Sequence, residues 1–236
     1  MPDRGRAEVS TSAASGNRAL PEESDAWKQA YRDPELIARR TKKHRQKLQV
    51  LGVLQWPREG RLLDLCCGTG EVLRILHAEG FQGLHASDVT IDPPLQQEPW
   101  LTTHAADSRK LPYPDAHFDA ITCLHSLHHL GGVSGISAAL SEAKRVLKPG
   151  GRLGLIDHWD SAHLRLAFWA CRQSWLTWPT SALRSYKCQL DEEWSYLTEY
   201  LDHWRQVRAV IDGLGFAPVE VDRKGLFFFY WVGLKR

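Results

Sequence analysis

Apolar positions along the chain change period repeatedly, and each change marks an element. Over residues 27–54 they recur at helical spacing, with a break at Asp33-Pro34, where the proline suits a first helical turn. At Leu62, Leu63 and Leu65 they become contiguous, as in a strand covered on both faces. The helical period resumes after Gly70, with Val72, Leu73, Ile75 and Leu76 on one side. Further strands are predicted over 84–89, with Asp88 at the end, over a stretch closing at 105–108, over 118–127 and over 153–157. A helix over 137–147 is stopped by Lys148-Pro149-Gly150-Gly151. A last helix over 204–214 precedes two β segments, 217–221 and 226–233, with Gly225 in the tight connection. Alternating strands and helices require crossovers that cover both sheet faces. The expected fold is therefore α/β, a Rossmann-like, doubly wound, mostly parallel seven-stranded sheet with an antiparallel edge strand.

Two regions depart from this rhythm. Residues 1–24 are rich in Ser, Ala, Gly, Arg and Glu and read as a disordered tail, leaving 25–236 as the domain. Residues 159–204 carry a concentration of aromatics and read as a helical lid inserted after the fifth strand. Composition narrows the class. A net charge of +2 gives no global attraction to nucleic acid or membrane. Five cysteines, two of them adjacent in a turn, are no disulfide framework, and no apolar run approaches the ~20 residues of a membrane span. A reduced, cytoplasmic protein follows, with no stable membrane insertion; its oligomeric state is left open. The basic run Arg39, Arg40, Lys42, Lys43, Arg45 and Lys47 reads as a solvated helix face, with a phosphate-binding patch as the minor alternative.

The densest chemistry lies in 61–72, RLLDLCCGTGEV: a strand carrying Asp64, then Cys66-Cys67-Gly68-Thr69-Gly70, then a helix start. A glycine turn lets backbone approach a ligand closely, and the helix end offers unpaired N–H groups and a positive dipole. A dinucleotide fingerprint is a poor fit, since Leu73 stands where the third glycine would fall; no lysine followed by Ser or Thr makes a P-loop. Ligands of open α/β sheets lie at the carboxyl ends of the strands. There the second strand supplies Asp88, suited to a ribose diol, and the third Asp107 and Ser108, suited to an adenine amine.

The stretch DLCCGTG, with ASDV at 86–89, AADSRKLPYPDAHFDAI at 105–121 and SEAKRVLKPGGRLGLID at 141–157, resembles the class I S-adenosylmethionine (SAM) dependent methyltransferases. The resemblance is closest to the quinone-biosynthesis C-methyltransferases; it is strong over 58–157 and weak over 190–236. It implies SAM as cofactor. It carries cofactor contacts to Asp64, Cys66, Gly68 and Gly70 in the turn, Asp88 and Val89, Asp107 and Ser108, Leu124, and loosely to Tyr31. In one respect the chain departs from the family: Thr90-Ile91-Asp92-Pro93-Pro94 follows Asp88 where a helix is usual, and two prolines make a clean helix start unexpected there. Asp92-Pro93-Pro94-Leu95 also mimics the tetrad of nucleic-acid amino-methyltransferases, but after the wrong strand.

Methyl transfer from a sulfonium is an in-line displacement needing alignment and, for a protonated nucleophile, a base. His125 and His158, each directly after a strand, are the preferred pair, against a reading as polar loop residues. His128 and His129 are weaker, because adjacent helical residues cannot both face the site. A zinc site from Cys123, His125, His128 and His129 matches no standard spacing, so no metal is expected. The lid aromatics Trp159, Phe168, Trp169, Trp175, Trp178, Tyr186, Trp194, Tyr196, Tyr200 and Trp204 admit three readings: plain core, a flat apolar substrate site, or a cage for a cationic amine. Asp191, Glu192 and Glu193 read as N-terminal charges of the helix that follows. The expected function is methyl transfer to an oxygen or carbon of a small, mostly apolar or aromatic acceptor, with no nucleic-acid partner. An RNA or peptide methyltransferase, and a non-catalytic partner subunit of the same fold, are the alternatives.

Overall fold

A computed structural model describes residues 34–173 and 193–236. The expected tail, Tyr31, and the lid residues Trp175, Trp178 and Tyr186 lie outside these. The described elements are α1 (Pro34–Leu51), β1 (Leu62–Leu65), α2 (Glu71–Ala78), β2 (Leu84–Asp88), α3 (Pro93–Gln96), β3 (Leu101–Ala105), β4 (Phe118–Leu124), α4 (Gly132–Val146), β5 (Leu147–His158), α5 (Ala162–Arg172), α6 (Trp204–Gly213), β6 (Val219–Lys224) and β7 (Phe228–Leu234). Residues 193–202 are also helical.

The sheet order is β3-β2-β1-β4-β5-β7-β6, so the chain crosses over from β3 to β4 and the switch point falls between β1 and β4. β1 pairs in parallel with both β2 and β4, and β4 with β5. The antiparallel strand is β7, inserted between β5 and β6, so β6 forms the outer edge. Side chains alternate between two cores. Leu62, Leu84, Ala86, Ile156 and Val232 pack with Leu48 and Leu51 of α1 and Val72, Leu73 and Leu76 of α2. Leu63, Leu65, Ile121, Leu153 and Leu155 pack on the other face with Ile136, Leu140 and Ala143 of α4 and Val207 and Ile211 of α6. A period of two along buried strands produces this division.

β5 is longer than expected, running from Leu147 through Lys148-Pro149-Gly150-Gly151 to His158, and three further elements differ for local reasons. The Pro93-Pro94 pair does start a helix, a single turn with Asp92 at its N-cap, because proline at the first positions lacks only an N–H that would be unbonded there. α4 begins at Gly132, earlier than the apolar period indicates. Gly135 allows this, since a Cβ there would stand 1.7 Å from the Leu130 carbonyl oxygen. β4 ends at Leu124, where His125 takes φ 58° and breaks the strand.

Candidate active site

The glycine turn after β1 is held by backbone bonds to β2. Cys67 N–H donates to the Ser87 carbonyl at 3.2 Å, and Gly68 N–H to Asp88 Oδ2 at 2.8 Å. Cys66, Gly68 and Gly70 all have positive φ, the strained sequence that lets the chain reverse into α2. Gly70 caps α2, and a Cβ on it would meet Leu95 Cδ2 at 2.3 Å, so α3 closes directly over the turn. Burial raises the Asp88 carboxyl, offset by backbone N–H donors from Gly68, Thr90 and Val89. Val89 is exposed and Ser108 buried. Asp107 is engaged by Arg109, whose backbone and guanidinium donate at 2.6–3.0 Å and hold the carboxyl below its usual range. Arg109 was absent from the expected set, and no sequence signal beyond its adjacency announces it.

Beneath the turn, Asp64 is buried in β1 and accepts from Thr122 Oγ1 of β4 at 2.7 Å. Burial without a cation pushes its carboxyl up to about 7, the Thr122 bond opposing and Asp88 adding. Asp64 therefore lies under the turn and braces β1 against β4.

The exits of β4 and β5 carry side chains that meet across long sequence distances. Asp157 is fully buried at the end of β5. One carboxylate oxygen accepts from Leu127 N–H at 2.7 Å, the other from His158 N–H at 2.7 Å, and both lie within 3.1 Å of His128 Nδ1. Burial alone would raise Asp157, but the His128 charge and bond, with His158, bring it well below the usual range. Burial likewise opposes the charged form of His128, and the facing Asp157 overrides it, so the His128 value is raised. With Nδ1 fixed, Nε2 of His128 points towards Glu193 Oε2, 3.9 Å away.

His125 and His158 both reach this mouth, ring centroids 5.8 Å apart. His125 Nε2 is 2.5 Å from Lys47 Nζ, so its lone pair accepts from an ammonium; burial and then Lys47 drive its value well down. His158 Nδ1 lies 3.3 Å from Asp157 Oδ1 without hydrogen-bond geometry, and burial lowers it as well. His128, the weaker expectation, makes the carboxylate bond, while His129 faces solvent as adjacent positions require. Among the described residues the zinc set does not assemble: the buried Cys123 thiol joins no cluster of ligand-type atoms. Among the described residues, His125, Asp157 and His158, and His128, His129 and Glu193, bring ligand-type atoms within 4.8 Å. In the first group Asp157 is committed to His128 and His125 to Lys47; in the second, Asp157 holds His128 Nδ1 while Nε2 faces Glu193.

The basic run of α1 splits. Arg39, Lys42 and Lys43 are exposed, but Arg40 turns inward to the buried Glu71 at 2.7 Å, and His44 and Lys47 are half-buried on the same face. A spacing of 40, 44, 47 was the available signal. Among the lid aromatics, Phe168, Tyr200 and Trp204 are core, and Tyr200 OH donates to the His158 carbonyl at 2.9 Å. Phe168, Trp169, Trp194 and Leu201 line an open cavity of ≈ 530 Å³, with Phe168 6.1 Å from the His158 ring. No helix among the described residues is long and apolar enough to cross a membrane.

Residues 63–155 match a family model described as a methyltransferase domain. A 27-O-demethylrifamycin SV methyltransferase of Amycolatopsis mediterranei is 34% identical over 118 residues, 46% of this chain; the match spans only 42% of that protein. A 2-phytyl-1,4-naphtoquinone methyltransferase of Synechocystis is 29% identical over 179 residues, 66% of this chain and 69% of its own. Among solved structures, a SAM-dependent methyltransferase of Methanosarcina mazei superposes with a TM-score of 0.55 at 14% identity, covering 76% of this chain and 94% of its own, a likeness of fold.

Proposed function

From residues 63–155 as a methyltransferase domain, we propose that the protein transfers a methyl group from SAM to a small, flat, mostly apolar acceptor bearing an acidic hydroxyl. The observation that carries this reading is the buried Asp157–His128 pair at the strand exits beside the glycine turn. SAM supplies the methyl group as a sulfonium. The glycine turn would receive its adenosyl part, with Asp88 accepting from the ribose hydroxyls and Asp107 near the adenine amine. The Asp88 carboxylate must then exchange the Gly68 N–H for ribose, or share it.

Asp157 fixes His128 with Nδ1 protonated, leaving the Nε2 lone pair to accept a proton. An acceptor hydroxyl beside Nε2 would lose its proton to His128 as the oxygen, or a ring carbon activated by it, attacks the methyl carbon. The imidazolium so formed is stabilised by Asp157. The cavity lined by Phe168, Trp169, Trp194 and Leu201 suits the apolar body of such a molecule. The named relatives, a 27-O-demethylrifamycin methyltransferase and a phytyl-naphthoquinone methyltransferase, both act on small molecules, which supports that part of the reading. Tyr200 and Trp204 are consumed in packing and offer no face to a cationic amine. Methyl-tritiated SAM incubated with phenols, quinols, aliphatic alcohols and amines tests the reading. Label is expected in the phenol and quinol arms; label only in amines contradicts it.

A further inference from the structure

The mouth of the sheet is crowded with charge, and almost all of it is matched. Arg40 is paired with Glu71, Arg109 with Asp107, and Asp157 with His128. Lys47 is the exception. Its ammonium is half-buried, donates to His125 Nε2 at 2.5 Å and lies 4.2 Å from the centroid of the Phe228 ring. Among the described residues no carboxylate stands within ion-pair distance of it. Burial, then the neighbouring Lys43, pulls its value down to about 8, with Asp157 offsetting them only in part.

The location of Lys47 is as informative as its charge. His125, its partner, follows β4 directly, and the next residue, Ser126, donates through Oγ to the Cys66 carbonyl at 3.3 Å. Lys47 thus reaches the exit of β4, whose next residue is bonded to the glycine turn, and it feels the charge of Asp157. A neutral His125 cannot compensate an ammonium, and a ring face compensates it only weakly. An ammonium held this way in the ligand-free protein is a preformed site for an anionic oxygen.

Resting on the SAM reading above, we infer that Lys47, seated on His125, is the residue that receives the carboxylate of the cofactor's methionyl part. That carboxylate is an obligatory anion of the cofactor and must leave water when the mouth is filled. It would complete the charge balance at Lys47, a half-buried cation with no carboxylate at ion-pair distance among the described residues. Lys47 is then a positioning residue: with the adenosyl end held at the turn and the carboxylate at α1, the sulfonium between them is aimed at His128.

Calorimetric titration with S-adenosylhomocysteine and with 5′-methylthioadenosine, which keeps the adenosyl part and lacks the amino acid, tests this in wild type and Lys47→Met. The expected result is at least a tenfold weaker S-adenosylhomocysteine affinity in Lys47→Met, with 5′-methylthioadenosine affinity changed less than twofold. Lys47→Arg should recover most of the difference, because the charge is restored. Where Lys47→Met fails to fold, Lys47→Gln serves the same comparison. Equal loss for both ligands would make Lys47 structural, and unchanged affinity for both would place the carboxylate elsewhere; either overturns the inference. Failure of wild type to bind either ligand removes the SAM reading itself, and this inference with it. Binding of 5′-methylthioadenosine with no effect of Lys47→Met on S-adenosylhomocysteine removes the inference alone.

Discussion

Asp64 and Asp157 are both buried carboxylates near the ends of inner strands, on β1 and β5, yet they are driven in opposite directions. Asp64 has a neutral hydroxyl for a partner and is pushed up to about 7. Asp157 has three backbone N–H donors and an imidazole and is held well below the usual range. Burial acts alike on both; the partners decide. The difference divides the mouth of the sheet. The β1–β2 side is built from backbone donors around a turn, as suits a ligand bound by N–H groups. The β4–β5 side is built from charged side chains fixed in one protonation pattern, as suits proton transfer.

The largest expected effect comes from removing the charged side's anchor. Asp157→Ala leaves His128 buried without its carboxylate and orphans the Leu127 and His158 amides. We expect a loss of about 3–5 kcal/mol in stability by urea denaturation, the cost of breaking a buried pair. Methyl transfer should fall by roughly 10²–10⁴. A variant as stable as wild type would mean the pair carries no strain-free charge worth keeping.

Next in size is Asp88→Ala, on the β1–β2 side. Loss of its ribose bonds should weaken S-adenosylhomocysteine binding by roughly 2–4 kcal/mol, if both are charge-assisted. Unchanged calorimetric affinity would place the ribose elsewhere.

Asp64→Asn sharpens the contrast from the other direction. Because the folded-state value of Asp64 is raised to about 7, its contribution is full at acid pH and is lost as pH climbs through the ordinary carboxylate range to about 7. Wild type should therefore lose about 2 kcal/mol between pH 5 and pH 8 that Asp64→Asn retains. Parallel pH curves for the two proteins would show Asp64 ionised at little cost.

The smallest effect is a displacement in pH. His128 is raised, so the stabilisation from its charged form is complete below the ordinary histidine value and decays as pH rises through the raised one. A base must be unprotonated, so kcat/KM should increase over that same interval, above about pH 6.5. Asp157→Asn should move the rise to lower pH, by roughly one unit. A rise unmoved by that substitution would belong to another group.

The two sides were unequally legible in the chain. The turn could be read because Asp64, Cys66, Gly68 and Gly70 are contiguous, and the strand order with its switch point follows from alternating periods. Asp88 and Asp107 could be located because one ends a strand and the other closely follows one; that Arg109 occupies Asp107 could not, since it depends on a side-chain rotamer. On the other side, the pairings Asp157 with His128 and Lys47 with His125 join residues 29 and 78 positions apart. Spacing carries no information about such contacts. Position after a strand favoured His125 and His158, but the positive φ of His125 turns its ring to Lys47. The basic run of α1 misled for a related reason: a charge run looks solvated until the helix phase is known, and Arg40, His44 and Lys47 fall on the inward face.

One measurement addresses the division of the mouth most directly: S-adenosylhomocysteine affinity and single-turnover methyl transfer, determined together for His128→Ala. Affinity within twofold of wild type, with transfer reduced by at least about 100-fold, is the predicted result. Parallel loss of both, or transfer at the wild-type rate, would contradict it.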